Sequence, residues 1–275
     1  MKEGALLFYD ENFIKEKTPE RPLKIVFMTS LRDIALEERN GQFLNINGID
    51  RYVKGVIEST LEETAIGGIL EGLIEVKGVI YDDTLEDLKG EFPLFPSDND
   101  SWIFPTKLLP EDSIWNIPSL FRKLSKDDVK GRKEAKYNFE LSVFQKIKEV
   151  EADVLILDSY MAKIEYLFKF MPDRVINIHP GPTLINKPFC FRGKAPYFDA
   201  ILFARENGGP VYTGATLHFV NEKFDDGRFI AYICNTPVDQ EEDWIILMYK
   251  NYISAKIPIF IAGLRHYVLK IIPYL

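Results

Sequence analysis

The chain has 275 residues, of which 46% are hydrophobic and 13% aromatic, so it carries enough apolar material for a large core and global disorder is excluded. Its formal net charge is −8, and an acidic surface disfavours non-specific binding to nucleic acid. No uninterrupted apolar run reaches the roughly 18 residues that a membrane span needs, and the N-terminus lacks a signal-peptide pattern. We therefore expect a cytoplasmic protein without nucleic-acid or membrane partners.

The domain organisation is predicted from shifts in composition. Residues 1–21 form a mixed, charged lead-in that ends in a Pro-containing stretch, and we interpret them as an N-terminal extension. Residues 22–275 are predicted to form a single domain with a long insertion at about 82–132. Much of this insertion is rich in Pro, Asp, Asn and Ser but also contains tryptophan, which favours a long ordered loop over a linker.

Strand and helix patterns alternate along the rest of the chain. Short apolar runs with β-branched residues predict buried strands, and apolar residues at helical spacing predict amphipathic helices. In chain order we predict strand 23–28, helix 49–63, strand 73–81, helix 133–150, strand 153–157, helix 161–170, strand 174–178, helix 195–205, a hairpin of strands 212–220 and 228–236, and a helix from 242 to about 267. This order predicts an α/β fold with a mostly parallel sheet covered by helices on both faces.

Two polar residues stand at the end of the predicted strand 174–178. Asn177 and His179 are two positions apart, so both side chains point to the same side of the strand end, and the loop Pro180-Gly181-Pro182 follows. Sheets of this kind bind ligands beyond the carboxyl ends of their strands. An imidazole there suits a general acid or base or an oxyanion donor, and the neighbouring amide suits a second donor.

Asp225 and Asp226 share the predicted hairpin turn that ends at Gly227. A turn aspartate commonly stabilises the turn itself, whereas a carboxylate near an imidazole raises the pKa of that imidazole and helps it to manage a proton. Physical reasoning from the residues alone does not choose between these roles, or between the two aspartates.

Three stretches together carry a resemblance to a known family. They read DVLILDSYMAKIEYLFKFMPDRVINIHPG, FRGKAPYFDAI and TGATLHFVNEKFDDGRFIA, and they span about residues 153–240. This combination resembles the 10-formyltetrahydrofolate-dependent formyltransferases, whose signature is Asn-x-His, a Pro-rich loop and Asp-x-Gly in a hairpin. The resemblance implies a Rossmann-like formyltransferase fold in which Asn177, His179 and Asp225 are catalytic, with Asp225 preferred because Gly227 completes the Asp-x-Gly pattern.

The resemblance also implies the donor and its binding segments. The donor is 10-formyltetrahydrofolate, bound near residues 160–162 and by the loop 221–227. Asn177 and His179 would stabilise the oxyanion, while Asp225 would hold His179 in its useful charge state and take the amine proton, directly or through water. His218 matches a second histidine of the family, and no metal is implied. The expected donor-binding residues are Tyr160, Met161, Ala162, Asn221, Phe224, Asp226 and Gly227.

The acceptor amine is predicted from the loop after the first predicted strand. Family members that act on glycinamide ribonucleotide carry a Gly-rich phosphate loop there, but this chain has no glycine between residue 29 and Gly41. SLRDIALEERNG and KPFCFRGK most resemble hydroxyornithine transformylases of siderophore pathways, so N5-hydroxyornithine is the expected acceptor, with Arg32, Asp33 and Arg192 as candidate contacts. The charged residues near Arg32 equally suit a solvated loop or helix face.

Other functions stay open at this stage. The alternative acceptors are the phosphoribosylglycinamide of purine biosynthesis and an amino-sugar nucleotide. A transfer-RNA acceptor is disfavoured by the negative charge and by the absence of a basic segment after the last predicted helix. A non-catalytic folate-binding module and a hydrolase of 10-formyltetrahydrofolate are further classes. The residues predict no oligomeric state.

Overall fold

The computed structural model describes most of the chain, in eight stretches. They are residues 6–8, 15–30, 42–46, 48–84, 109–160, 162–193, 195–208 and 210–272.

One eight-stranded sheet organises these residues, with the strand order β1-β10-β9-β8-β7-β2-β5-β6. A separate two-stranded hairpin is formed by β3 and β4. The strands are β1 (Leu7–Phe8), β2 (Leu23–Thr29), β3 (Gln42–Ile46), β4 (Ile49–Val53), β5 (Ile74–Tyr81), β6 (Ile114–Asn116), β7 (Val154–Leu157), β8 (Val175–His179), β9 (Val211–Phe219) and β10 (Phe229–Val238).

The sheet is parallel from β6 through β5, β2 and β7 to β8. It becomes antiparallel where β9 pairs with β8, and β10 and β1 continue that arrangement. The carboxyl ends of β7 and β8 therefore lie side by side. The turn that joins β9 and β10 begins opposite the amino half of β8, where Phe219 pairs with Ile176, and the Asp225 carboxylate of this turn reaches Asn177 and His179.

Helices cover both faces of the sheet, as the sequence predicted. They are α1 (Val56–Thr64), α2 (Val129–Glu149), α3 (Leu167–Phe170), α4 (Pro196–Asn207), α5 (Trp244–Asn251) and α6 (Ile257–His266). Ile25 and Phe27 of β2 pack in a core with α1 and α6, whereas Val26 and Met28 pack in a second core with α2. This alternation of buried residues along one strand is expected for a sheet buried on both sides.

The predicted helix over residues 49–63 is wrong in its first part. Ile49–Val53 pairs with β3 as a hairpin, and only Val56–Thr64 is helical. Asn47-Gly48 is a strong sequence signal for a two-residue hairpin turn, and Gly48 adopts a φ of 78°. The helical spacing of the apolar residues obscured that signal.

The predicted helix over residues 161–170 is also shorter in the structure, where only Leu167–Phe170 is helical. The backbone N–H groups of Glu165, Tyr166 and Leu167 donate to the carboxylate of Glu140 on α2. These amides therefore have an acceptor outside the segment, and the residues before Leu167 need no helix to satisfy them.

The C-terminal helix runs through two π-helical turns, Tyr252–Lys256 and Tyr267–Ile271, which flank α6. Pro258 lacks an N–H and cannot bond to the carbonyl of Ser254. The side-chain amide of Asn235 donates to that carbonyl instead, at 2.9 Å. The first π turn is therefore a local response to proline, of the kind that often occurs at functional positions.

Within the described part of the chain, Trp244–Ile271 alone has the length and composition to cross a membrane, with a mean hydropathy of 1.3 over its window, half of which is buried in the molecule. Lys250, Lys256 and Arg265 interrupt the apolar run. The segment packs on β9 and β10, and that packing accounts for its apolar composition.

The predicted N-terminal extension contributes β1, which pairs with β10. Lys17 donates its N–H to the carbonyl of Leu269. Residues 85–108 of the predicted insertion lie outside the described residues, while β6 and the start of α2 lie within its predicted limits.

Candidate active site

The candidate site lies at the carboxyl end of β8, where the structure brings Asn177, His179 and Asp225 together. Nδ1 of His179 is 3.5 Å from Oδ2 of Asp225, and Nδ2 of Asn177 is 3.4 Å from Oδ1 of the same carboxylate. Asn177 is half-buried, whereas His179 is 4% and Asp225 7% exposed. The amide is therefore the most accessible of the three groups.

Asp225 is held in an unusual backbone conformation. Its φ is 49°, in the left-handed region that costs a non-glycine residue about 1 kcal/mol. Two residues later, Gly227 packs so closely that a Cβ there would meet the carbonyl of Phe219. The N–H of Gly193 donates to Oδ2 of Asp225 at 2.9 Å. The carboxylate is thus fixed by the turn on one side and by the loop after β8 on the other.

The hydrogen bonds of His179 determine which nitrogen carries its proton. Nε2 lies 2.8 Å from the carbonyl of Phe191, and a carbonyl only accepts, so Nε2 is the donor. Burial lowers the pKa of the imidazole, and the nearby Asp225 only partly opposes this effect. At neutral pH the ring is therefore neutral, and the lone pair on Nδ1 faces Asp225.

His218 orients the amide of Asn177. Nδ1 of His218 donates to the carbonyl of Phe219 at 3.0 Å, and Nε2 lies 3.1 Å from Nδ2 of Asn177 and 3.6 Å from Oδ1 of Asp225. Burial raises the pKa of Asp225, but its hydrogen bond with His218 and the nearby His179 outweigh that effect and hold it below its ordinary value. Asp225 is therefore ionised at neutral pH.

The two neighbouring aspartates have different surroundings, which physical reasoning from the residues alone did not distinguish, although the family resemblance preferred Asp225. Asp226 points away from the imidazoles and pairs with Arg192, with Nη1 2.6 Å from Oδ1. The hydrogen bond from Arg192 lowers the pKa of Asp226. Only Asp225 contacts the three polar side chains of the site, so the geometry favours it as the reacting carboxylate.

A cleft opens beside these groups. It contains four of the predicted donor-binding residues, Tyr160, Ala162, Asn221 and Phe224, while Asp226 and Gly227 lie outside its wall. Sequence reasoning missed most of the apolar wall and the lysines. The full lining is Leu157, Tyr160, Ala162, Lys163, Ile164, Asn177, His218, Val220, Asn221, Lys223, Phe224 and Asp225.

This lining suits a folate. Leu157, Ile164 and Val220 offer an apolar wall for a ring system, and Lys163 and Lys223 suit a carboxylate. The cleft measures about 60 Å³, whereas pockets for organic ligands commonly reach roughly 300–1,000 Å³. Phe224 is 43% exposed at the wall of the cleft.

Two buried carboxylates that the sequence did not single out support the site. Glu140, fully buried on α2, accepts the three N–H groups that begin α3 and thereby fixes the cleft wall at Ile164. Asp158 follows β7 and pairs with Lys256, with 2.9 Å between Oδ1 and Nζ; each side chain is 1% exposed. Both sets of contacts join residues that are far apart in the chain, so no local sequence pattern predicts them.

Three predicted contacts, Arg32, Asp33 and Met161, lie outside the described residues. Arg192 is described, and its Nε and Nη2 donate to the carbonyl of Thr183 at 2.8 and 2.6 Å. Within the described stretches, no group of three or more His, Cys, Asp or Glu side chains is arranged to hold a metal ion.

The chain resembles one family model and several known proteins. The model for "Formyl transferase" matches residues 115–250. Chloroplastic phosphoribosylglycinamide formyltransferase from Arabidopsis thaliana is 35% identical over 86 residues, which are 31% of this chain and 28% of that protein. The counterpart from Vigna unguiculata is 28% identical over 116 residues, 42% of this chain and 34% of that protein. The matched region thus spans well under two thirds of either relative.

A solved structure covers more of the chain. PvdF of pyoverdin biosynthesis, a structurally unique N10-formyltetrahydrofolate-dependent formyltransferase, superposes with a TM-score of 0.76 and 26% sequence identity. The superposition covers 88% of this chain and 98% of PvdF. The likeness therefore extends to residues before 115, where the match to the family model begins.

Proposed function

Because the chain belongs to the formyl transferase family, we propose that it transfers a formyl group from 10-formyltetrahydrofolate to a small amine. The observation that carries this proposal is the meeting of Asn177, His179 and Asp225, of which Asn177 and Asp225 line the cleft. An acyl transfer to an amine needs a donor to the carbonyl oxygen and an acceptor for the amine proton, and these residues supply both. When bound, the folate supplies the activated formyl group.

We assign the roles from accessibility and protonation. Asn177 is the accessible amide, so it donates to the formyl oxygen, where negative charge develops. Neutral His179 accepts the amine proton at Nδ1, because its Nε2–H is engaged by the Phe191 carbonyl. Ionised Asp225 then stabilises the resulting imidazolium across the 3.5 Å that separates them. When the bond between the formyl carbon and N10 of the folate breaks, this proton would pass to N10, so that tetrahydrofolate leaves and His179 returns to its neutral state.

We propose N5-hydroxyornithine as the acceptor. Support comes from the resemblance of the segments 30–41 and 187–194 to hydroxyornithine transformylases, and from the likeness to PvdF over nearly the whole of that protein. The sequence after β2 begins Ser30-Leu31-Arg32-Asp33 and has no glycine before Gly41, so it lacks the glycines of a phosphate cradle. That composition suits a small zwitterion better than a ribonucleotide.

A second acceptor must also be tested, because the names of the two plant relatives give phosphoribosylglycinamide as the substrate. The experiment measures release of tetrahydrofolate from 10-formyltetrahydrofolate with N5-hydroxyornithine, glycinamide ribonucleotide or an amino-sugar nucleotide, and with no acceptor. We expect the highest kcat/KM with N5-hydroxyornithine. A higher value for the ribonucleotide would overturn the acceptor assignment, and equal formate release without an acceptor would indicate a hydrolase.

A further inference from the structure

Three consecutive residues of the loop after β8 each hold a different part of the site. The carbonyl of Phe191 accepts from Nε2 of His179, and the N–H of Gly193 donates to Asp225. Arg192, between them, contacts neither catalytic side chain. Its guanidinium instead joins the start of its own loop to the hairpin turn.

The guanidinium of Arg192 uses all of its nitrogens in this bridge. Nε and Nη2 converge on the carbonyl of Thr183, and Nη1 contacts Oδ1 of Asp226 at 2.6 Å. Both side chains are 27% exposed, so the pair is partly shielded from water. A rigid planar fork suits three fixed partners of this kind, whereas a lysine ammonium reproduces the charge without the fork.

The bridge acts where the backbone needs support. Asp225 keeps a left-handed φ of 49°, and strained conformations persist only where their surroundings over-determine them. Asp226 is the next residue, so anchoring its side chain limits the rotation of the Asp225 backbone. The same bridge keeps the Phe191 carbonyl against His179, because Arg192 directly follows Phe191.

We propose that Arg192 and Asp226 form a positioning pair that holds the Asp225 carboxylate and the Phe191 carbonyl in register around His179, so that its proton stays on Nε2. Arg192 is then a positioning residue rather than a contact to the acceptor. The proposal rests on the proposed function for its kinetic consequences only, since the tautomer of His179 is a property of the free protein.

The kinetic consequence is a loss in kcat with little change in the KM for the acceptor. A displacement of about 1 Å in a reacting group can cost roughly 100-fold in rate, so Arg192→Met and Asp226→Ala are each expected to lower kcat by about 10- to 100-fold. The double variant loses no more than the worse single one, because both remove the same bridge. Arg192→Lys restores little of the rate.

The control is Arg21→Met. Arg21 forms a two-point pair with Asp153, with both distances 2.7 Å, at the amino ends of β2 and β7. This change removes an arginine–carboxylate pair of the same kind at the edge of the sheet opposite the site. We expect kcat to stay within about two-fold of the wild-type value, as surface ion pairs contribute little.

The decisive test is nitrogen-15 NMR of the imidazoles, since the chain has only three histidines and each can be assigned by substitution. In the wild-type protein and in Arg21→Met, His179 should be protonated on Nε2; in Arg192→Met and in Asp226→Ala it should become a mixture of tautomers. An unchanged His179 in both variants overturns the proposal, as does a rise in acceptor KM at constant kcat, which would make Arg192 an acceptor contact. Absence of transfer by the wild-type protein with every acceptor would refute the proposed function, but the tautomer measurement would still decide the positioning role.

Discussion

At the scale of single residues, the chemistry depends on where protons reside. His179 has one nitrogen bound to a backbone carbonyl and the other beside an ionised carboxylate. Burial favours the neutral ring, and the ring gains a stabilising partner in Asp225 only when it becomes charged. This combination suits a base that is neutral at rest and charged for a short time during transfer.

The protonation state of His179 predicts the pH dependence of kcat. The active form is the neutral ring, so the rate falls as pH decreases through the pKa of His179. Because burial lowers that pKa from 6.5, the midpoint of the acid limb should lie below pH 6.5. A midpoint above 6.5 would show that the charged ring predominates in the resting protein.

Asp225→Asn keeps the size of the side chain and removes its charge. The imidazolium then lacks its partner, and general acid–base contributions of this type are worth roughly 10²–10⁴ in rate, so we expect kcat to fall by at least ~100-fold. The acid limb should also move to lower pH, since the influence that raises the pKa of His179 is gone. Stopped-flow kinetics across the pH range measure both effects. An unchanged acid limb would show that Asp225 does not influence the pKa of His179.

Asn177, His179 and Asp225 could be predicted as site residues because they have local signatures at a strand end and a turn, and the structure brings them together. The family resemblance favoured Asp225 over Asp226, but physical reasoning from the residues alone did not choose between them. That choice depends on backbone torsion and on Arg192, and both are properties of the folded chain.

At the scale of secondary structure elements, the cleft wall depends on a contact between α2 and α3. Glu140 accepts three backbone N–H groups at the start of α3, although the helix is only four residues long. The position of Ile164 in the cleft therefore depends on a residue of another helix.

Glu140→Ala should destabilise the protein and weaken folate binding together. It leaves the buried N–H of Leu167 without an acceptor, at about 1–3 kcal/mol, together with the partly buried N–H groups of Glu165 and Tyr166. Urea unfolding and folate binding are the measurements, and Glu134→Ala on the exposed side of the same helix is the control. Loss of stability without weaker folate binding would show that α3 does not position the cleft wall.

The π turn before Pro258 places a lysine in an ion pair with a residue that is distant in the chain. It carries Lys256, which forms a buried pair with Asp158 and also donates to the hydroxyl of Tyr252 at 2.8 Å. Removing one member of a buried pair leaves a charge without compensation, whereas an apolar replacement of both is often nearly neutral.

Lys256→Met should therefore cost about 3–5 kcal/mol of unfolding free energy. The double variant Lys256→Met/Asp158→Leu should recover most of that loss. Chemical denaturation of the single and double variants provides the comparison. Additive losses in the two substitutions would contradict a paired role.

At the scale of the whole molecule, the alternation of strands and helices predicted the α/β class, the mostly parallel sheet and the edge that holds the site. Two local errors have clear causes. The apolar residues around Ile49–Val53 have helical spacing, so a helix was predicted where the structure has a hairpin strand. Helix α3 begins later than predicted because the carboxylate of Glu140 accepts the backbone N–H groups at its start. The polar pairs around the site could not be predicted, because their members are joined only by the fold.

The central claim is that the site at the end of β8 transfers a formyl group, and single-turnover transfer by Asn177→Ala tests it most directly. With 10-formyltetrahydrofolate and the best acceptor, we expect this variant to lose about 10²–10³ in rate, as for removal of one oxyanion donor. Its thermal unfolding should stay close to that of the wild-type protein, because Asn177 is half-buried and lies at the cleft. Transfer at near the wild-type rate by a folded Asn177→Ala protein would contradict the account.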